Sequence, residues 1–150
     1  MIMSFRFRLQ TLLRLQRSLE HQEENRLHAC VARIARLQTD LRAWEETRLQ
    51  RRANVWTDLQ AGQPGAVLQW SGLWEERVRL HENELRRQLD LAEQARQEQL
   101  KLYRAARQKR EILESLKERQ ETAYTSEFLR RVQQDLDEAH LMRSFYRKDH

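Results

Sequence analysis

Five histidines, one cysteine and a dense population of carboxylates are the side chains in this sequence with chemistry to offer. His21, His28, His81, His140 and His150 are scattered along the chain. His81-Glu82-Asn83-Glu84-Leu85 opens like a zinc-protease helix but lacks the second histidine that would complete the ligand pair. Cys30 has no partner for an internal disulfide, which fits a reducing compartment, and its spacing puts it at a helix seam as a small buried hydrophobe. Carboxylate pairs recur, yet a solvated helix face produces them without any acid–base role, and no cleft is predicted to desolvate them. Gly62-Gln63-Pro64-Gly65 has neither the length nor the lysine of a phosphate-gripping loop. These absences predict a protein that binds partners, uses no cofactor and no metal, and catalyses nothing.

The elements that must carry those residues are helices. Of 150 residues, 34% are charged and 39% hydrophobic, with 3 glycines and 1 proline, so helix formers dominate and turn formers are scarce. Gly62, Pro64, Gly65 and Gly72 form the one strong punctuation of the chain. The pattern predicts an all-α fold, a long antiparallel two-stranded coiled-coil hairpin in one domain. Its helices should run over about residues 9–60 and 72–146 with a turn over about 61–70. An arm of about fifty residues would be roughly 75 Å long and too long to stand on propensity alone, so the other arm is its expected partner. The second arm is the longer, and its last residues must overhang or pack on something else.

In the first arm Leu27, Cys30, Ile34, Leu37, Leu41 and Trp44 alternate in steps of three and four. They define a seam that extends back to Glu23 and forward to Arg48, Arg51 and Val55. Leu9, Leu12, Leu13, Leu15 and Leu19 make a broader apolar face, suited to meeting more than one neighbour. In the second arm the same stepping selects Val78, His81, Leu85, Gln88, Ala92, Ala95, Gln99, Leu102, Ala106, Lys109, Leu113, Leu116, Gln120 and Ala123. That seam is rich in Ala and Gln, buries little, and is expected to be locally weak and open to bending or twisting between Gln88 and Lys109. After Ala123 the spacing shifts to Leu129, Val132, Leu136 and Ala139, a discontinuity in the seam.

Trp44 falls on the seam, while Trp56, Trp70 and Trp74 flank the turn. They either close the hairpin as an aromatic plug or stay exposed as anchors for a partner, since Trp and Arg dominate interface hot spots. Net charge is +5, and the first nineteen residues hold Arg6, Arg8, Arg14 and Arg17 with no acid. That local excess suits an acidic protein surface; without a recognition motif it does not predict nucleic-acid binding. Phe5 and Phe7, alternating with Arg6 and Arg8, are expected to tether the chain start to a protein groove or to the end of the second arm. No apolar run reaches the roughly 18 residues needed to span a bilayer and no signal-peptide core follows the start, so a cytoplasmic location is expected.

The two ends of the chain also carry a resemblance. The segment from Phe5 to Arg17, Phe-Arg-Phe-Arg-Leu-Gln-Thr-Leu-Leu-Arg-Leu-Gln-Arg, is similar to the opening of the FliJ family of flagellar export proteins. The stretch Arg107 to Arg119, with Leu113-Glu114-Ser115-Leu116-Lys117-Glu118-Arg119, resembles that family's basic block followed by Leu-Glu-x-Leu-x-Glu-Arg. Injectisome stalk proteins share the expected shape, and a general coiled-coil scaffold is the alternative outside export. The resemblance implies a non-enzymatic stalk and adaptor with three partners: the hexameric flagellar export ATPase, the cytoplasmic domain of the FlhA export gate, and export chaperones. It further implies a location at the flagellar base that touches the inner membrane only through the export apparatus. By the same analogy Phe5, Phe7, Arg14, Arg17, Leu116 and Arg119 would meet the ATPase ring. On side-chain type and location, Trp44, Arg48, Trp56, Leu73 and Val78 are the expected contacts for gate or chaperone.

Overall fold

A computed structural model describes residues 4–62 and 65–148. Gln63 and Pro64, the heart of the expected turn, lie outside the described residues. Two α-helices pack together, α1 (Gln10–Gln60, 51 residues) and α2 (Ala66–Lys148, 83 residues), with no strand among the described residues. This is the all-α pairing of a coiled-coil hairpin. α1 opens after a turn in which the Gln10 amide donates to the Phe7 carbonyl at 3.1 Å. It closes at Gly62, whose φ of 81° is the left-handed conformation glycine adopts without steric cost. There the Ala61 and Gly62 amides satisfy the carbonyls of Thr57 and Leu59 at 3.0 and 3.2 Å. α2 starts at Ala66, ahead of the position expected from Gly72, which lies inside the helix. One helical glycine costs only about 1 kcal/mol against alanine, too little to interrupt a helix of this length.

The chain divides into two compact units, one formed by Met1–Glu20 with Ala105–His150 and the other by His21–Arg104. In the second unit the core is Leu37, Leu85 and Ala92, with Ile34, Leu41, Trp44 and Leu89 packed on it. It coincides with the strongest stretch of the α1 seam. In the first unit Leu13 is fully buried and Phe7 nearly so. The other leucines of the N-terminal cluster, Leu9, Leu12, Leu15 and Leu19, are exposed, so the broad face covers itself on one residue and no second neighbour caps it among the described residues.

The covered positions of α1 run from Leu13 through Gln16, Glu20, Glu23, Leu27, Cys30, Ile34, Leu37, Leu41 and Trp44 to Arg48 in unbroken steps of three and four. The seam therefore reaches well before Glu23, through polar residues that a count of apolar spacing passes over. In α2 the covered set is Val78, Glu82, Leu85, Leu89, Ala92, Arg96, Gln99, Tyr103, Ala106, Arg110, Leu113 and Lys117. Half of these differ by one residue from the spacing-derived seam. His81, Ala95, Leu102, Lys109, Gln120 and Ala123 are exposed, whereas Gln88 and Leu116 are half-buried at the edge. The physical reason is charge. α1 presents Glu20 and Arg48 on its own seam, and the face of α2 that offers Arg110 and Glu82 answers them. Beyond Glu127 every described residue of α2 is exposed, as the unequal helix lengths require.

Candidate functional site

No catalytic constellation is assembled among the described residues, and no group of three or more His, Cys, Asp or Glu side chains is placed to hold a metal ion. The structure instead offers contact surfaces, and the residues expected to meet partners fall into two sets, one in each unit.

The first set lies where the start of the chain meets α2. Phe5 is half-buried with its ring centroid 5.7 Å from that of Tyr124 at 46°. The tether is thus made to the body of α2, more than twenty residues before its end. Arg17 donates through Nε and Nη2 to one carboxylate oxygen of Glu114, at 3.2 and 3.1 Å. Arg110 reaches the other oxygen of Glu114 at 2.6 Å and also grips the Glu20 carboxylate. Glu114 is partly desolvated, which raises its pKa, but the bonds from Arg17 and Arg110 outweigh that and hold the carboxyl below its ordinary value. The Arg110 guanidinium is held above its ordinary value, chiefly by Glu20. Arg14 and Arg119 are exposed, and Leu116 is half-buried. Of the expected ring contacts, Phe5 and Arg17 thus also serve the helix pairing, Phe7 is buried, and Arg14 and Arg119 face solvent.

The second set lies near the turn. Trp56 and Trp70 are 64% and 73% exposed, and Leu73 is exposed as well. Trp74 is half-buried with the Arg51 guanidinium 4.7 Å above its ring, a cation–π contact. Trp56 and Trp70 therefore do not close an aromatic plug. The half-buried indole of Trp44 meets the His81 ring edge-on, centroids 4.7 Å apart. Val78 is buried, and Arg48 donates to Glu82 at 3.0 Å, so both are occupied within the seam. A shallow hollow of about 290 Å³ is lined by Val55, Trp56, Leu59, Gly72 and the Arg52–Glu75 pair. Glu82, buried in the seam, was missed by apolar spacing; its only signal was Arg48 across the hairpin, a match of charge.

Leu129, Val132, Leu136 and Ala139, expected as a shifted continuation of the seam, instead lie on the part of α2 that outruns α1, with Phe128 beside them and Tyr146 farther along. All are exposed.

A sequence profile for the family described as "Flagellar FliJ protein" matches residues 5–150. The chain belongs to the FliJ family. The match covers both units and both quoted motifs. No curated protein and no solved structure shows significant similarity to the chain. Membership makes this FliJ-family chain a non-enzymatic component of flagellar protein export, of the stalk or adaptor kind, acting with other parts of the export apparatus. No helix among the described residues is long and apolar enough to cross a membrane.

Proposed function

We propose that this FliJ-family chain is a cytoplasmic stalk and adaptor that links the hexameric flagellar export ATPase to the cytoplasmic domain of the FlhA export gate and receives export chaperones. It is associated with the inner membrane only through the apparatus. The observation that carries the reading is the separation of its exposed binding groups. Basic Arg14 and Arg119 belong to the unit that joins the chain start to α2, and Trp56, Trp70 and Leu73 belong to the unit next to the turn. Solvent-facing arginine and tryptophan are the residue types that anchor protein interfaces.

In this reading Phe5, Phe7, Arg14, Arg17, Leu116 and Arg119 form the ring contact, with Phe5, Phe7 and Arg17 shaping it by holding the chain start on α2. Trp56 and Leu73 are the gate or chaperone anchors, and Trp44, Arg48 and Val78 support them from within the seam. The paired helices transmit assembly or rotation of the ATPase to the gate, and the chain binds no nucleotide. Co-purification of the full chain with the hexameric ATPase tests the proposal. Stoichiometric capture that Arg14→Glu with Arg119→Glu abolishes is expected, and a chain that never associates with the ring overturns it.

A further inference from the structure

In the second unit α2 has two heptad faces, of which one is turned to α1. Val78, Leu85, Ala92 and Gln99 belong to both. The face in use adds Glu82, Leu89, Arg96 and Tyr103, and the face beside it adds His81, Gln88, Ala95 and Leu102. Their apolar content is similar, with Leu89 and Tyr103 on one and Ala95 and Leu102 on the other. The face in use is the one that carries formal charge into the seam. Exchanging them needs a turn of α2 about its own axis of only about 50°, one heptad position. His81 already touches Trp44 at the seam edge, so that turn begins from an existing contact.

One interaction distinguishes the faces. Glu82 is 1% exposed, the most buried charged side chain described, and its Oε2 accepts from Arg48 Nη1 at 3.0 Å. Arg86 stands farther off, 4.0 Å from the same oxygen and directed also to Glu45. Glu82 Oε1 and Arg48 Nε are buried without a hydrogen-bond partner. A buried carboxylate with half its acceptors unfilled pays a desolvation cost that its single strong bond only partly offsets. On the neighbouring face Glu82 would return to water. Gln99, common to both faces, donates to the Glu23 carbonyl at 3.2 Å and to its carboxylate, which fixes the helices lengthwise without choosing between the faces.

We propose that Arg48–Glu82 is a rotational latch: while the pair is intact α2 presents its Glu82/Leu89/Arg96/Tyr103 face to α1, and when it is broken α2 turns to its His81/Gln88/Ala95/Leu102 face. The turn would withdraw Leu102, now 55% exposed, and bring Tyr103 and Arg96 to the surface. A partner carboxylate that captures Arg48 would thus change a surface several helical turns away, which gives the helix pair a discrete torsional state.

Thiol labelling of the full chain in a Cys30→Ser background tests the latch, with one reporter at Ala95→Cys and another at Tyr103→Cys. Breaking the latch with Glu82→Arg is expected to slow labelling at position 95 by about fivefold and to speed it at 103, and Arg48→Glu with Glu82→Arg is expected to restore the original rates. Slowing at 95 cannot come from unfolding, which would speed both reporters. Glu82→Gln, which keeps the shape and removes the charge, is expected to shift both rates in the same directions by a smaller factor. Unchanged or faster labelling at 95 in both Glu82→Arg and Glu82→Gln overturns the proposal.

Discussion

Arg17 and Glu114 stand 97 residues apart in sequence and meet across the helix pair, Nε and Nη2 of the arginine sharing one carboxylate oxygen at 3.2 and 3.1 Å. Arg17 is therefore not simply a free positive charge available to a partner, whereas Arg14, one turn earlier, faces solvent. The two should separate in experiment. Arg17→Ala is expected to lower stability by about 0.5 kcal/mol, the scale of a half-exposed pair, and to cost less when Glu114 is already Gln. Arg14→Glu is expected to leave the denaturation midpoint alone and to weaken capture of the export ATPase, more so at low salt. Equal loss of stability in both single variants would show that Arg14 has a structural role of its own.

Glu114 also sets a pH dependence. Burial lifts its carboxyl, the Arg17 and Arg110 bonds lower it further than burial lifts it, and the folded value lies below the unfolded one. A depressed carboxyl contributes stability that is present above the unfolded value and is lost as pH falls through the folded one. The expected profile is flat near neutrality and declines below about pH 4.3. Glu114→Gln should flatten the acid limb in part, because the half-buried carboxylates of Glu84, Glu93 and Glu127 are lowered in the same direction by their neighbouring arginines. Urea midpoints measured from pH 3 to 7 for both proteins decide it.

Two helices, a break near Gly62 and the α1 seam from Leu27 to Arg48 are legible in the sequence, because apolar residues at steps of three and four leave few alternatives for Leu37 or Leu41. The face of α2 is not, because Leu102 and Tyr103 satisfy apolar spacing about equally well. The choice depends on which side chains stand across the seam: Arg48 for Glu82 and Glu20 for Arg110. Such matches join residues 34 to 90 apart in the chain, and spacing along one helix carries no trace of them. The turn tryptophans are a similar case. A large apolar side chain beside a turn favours burial on transfer energy alone, but burial needs a facing surface, and Trp56 has only a shallow hollow beside Gly72 and Glu75 and stays mostly exposed, as does Trp70.

The N-terminal leucines give a sharp packing test. Leu13 is fully buried, whereas Leu12 beside it is exposed. Leu13→Ala removes a filled position in a thin seam and is expected to cost about 2–4 kcal/mol, against less than about 1 kcal/mol for Leu12→Ala. Chemical denaturation of the two variants measures the difference. Similar losses would mean that a second neighbour covers the outer leucines in solution.

Near the turn, anchor and core should respond oppositely. Val78→Ala empties a buried position and is expected to destabilise by about 1–2 kcal/mol. Trp56→Ala and Trp70→Ala remove exposed rings and are expected to stay within about 0.5 kcal/mol of the parent while weakening capture by the cytoplasmic domain of the FlhA gate or by an export chaperone. Titration calorimetry against each partner assigns the pair. Unaltered affinity for every one of them would remove Trp56 from the proposed contacts.

The strip on the last stretch of α2 allows a cleaner separation of binding from folding than any seam residue. Leu129 and Leu136 are each exposed and lie on one side of the helix, together with Val132 between them. Apolar side chains that water already reaches contribute little to the fold, so Leu129→Asp with Leu136→Asp is expected to leave the denaturation midpoint unchanged. If the ring contact continues from Leu116 along α2, the same pair of charges placed in an apolar interface should reduce capture of the ATPase at least tenfold, about 1.4 kcal/mol. Arg14→Glu should weaken capture in a salt-dependent way, and the aspartate pair in a way that salt barely alters, because what it removes is apolar burial. Full capture by the aspartate variant would confine the ring contact to the residues before Phe128.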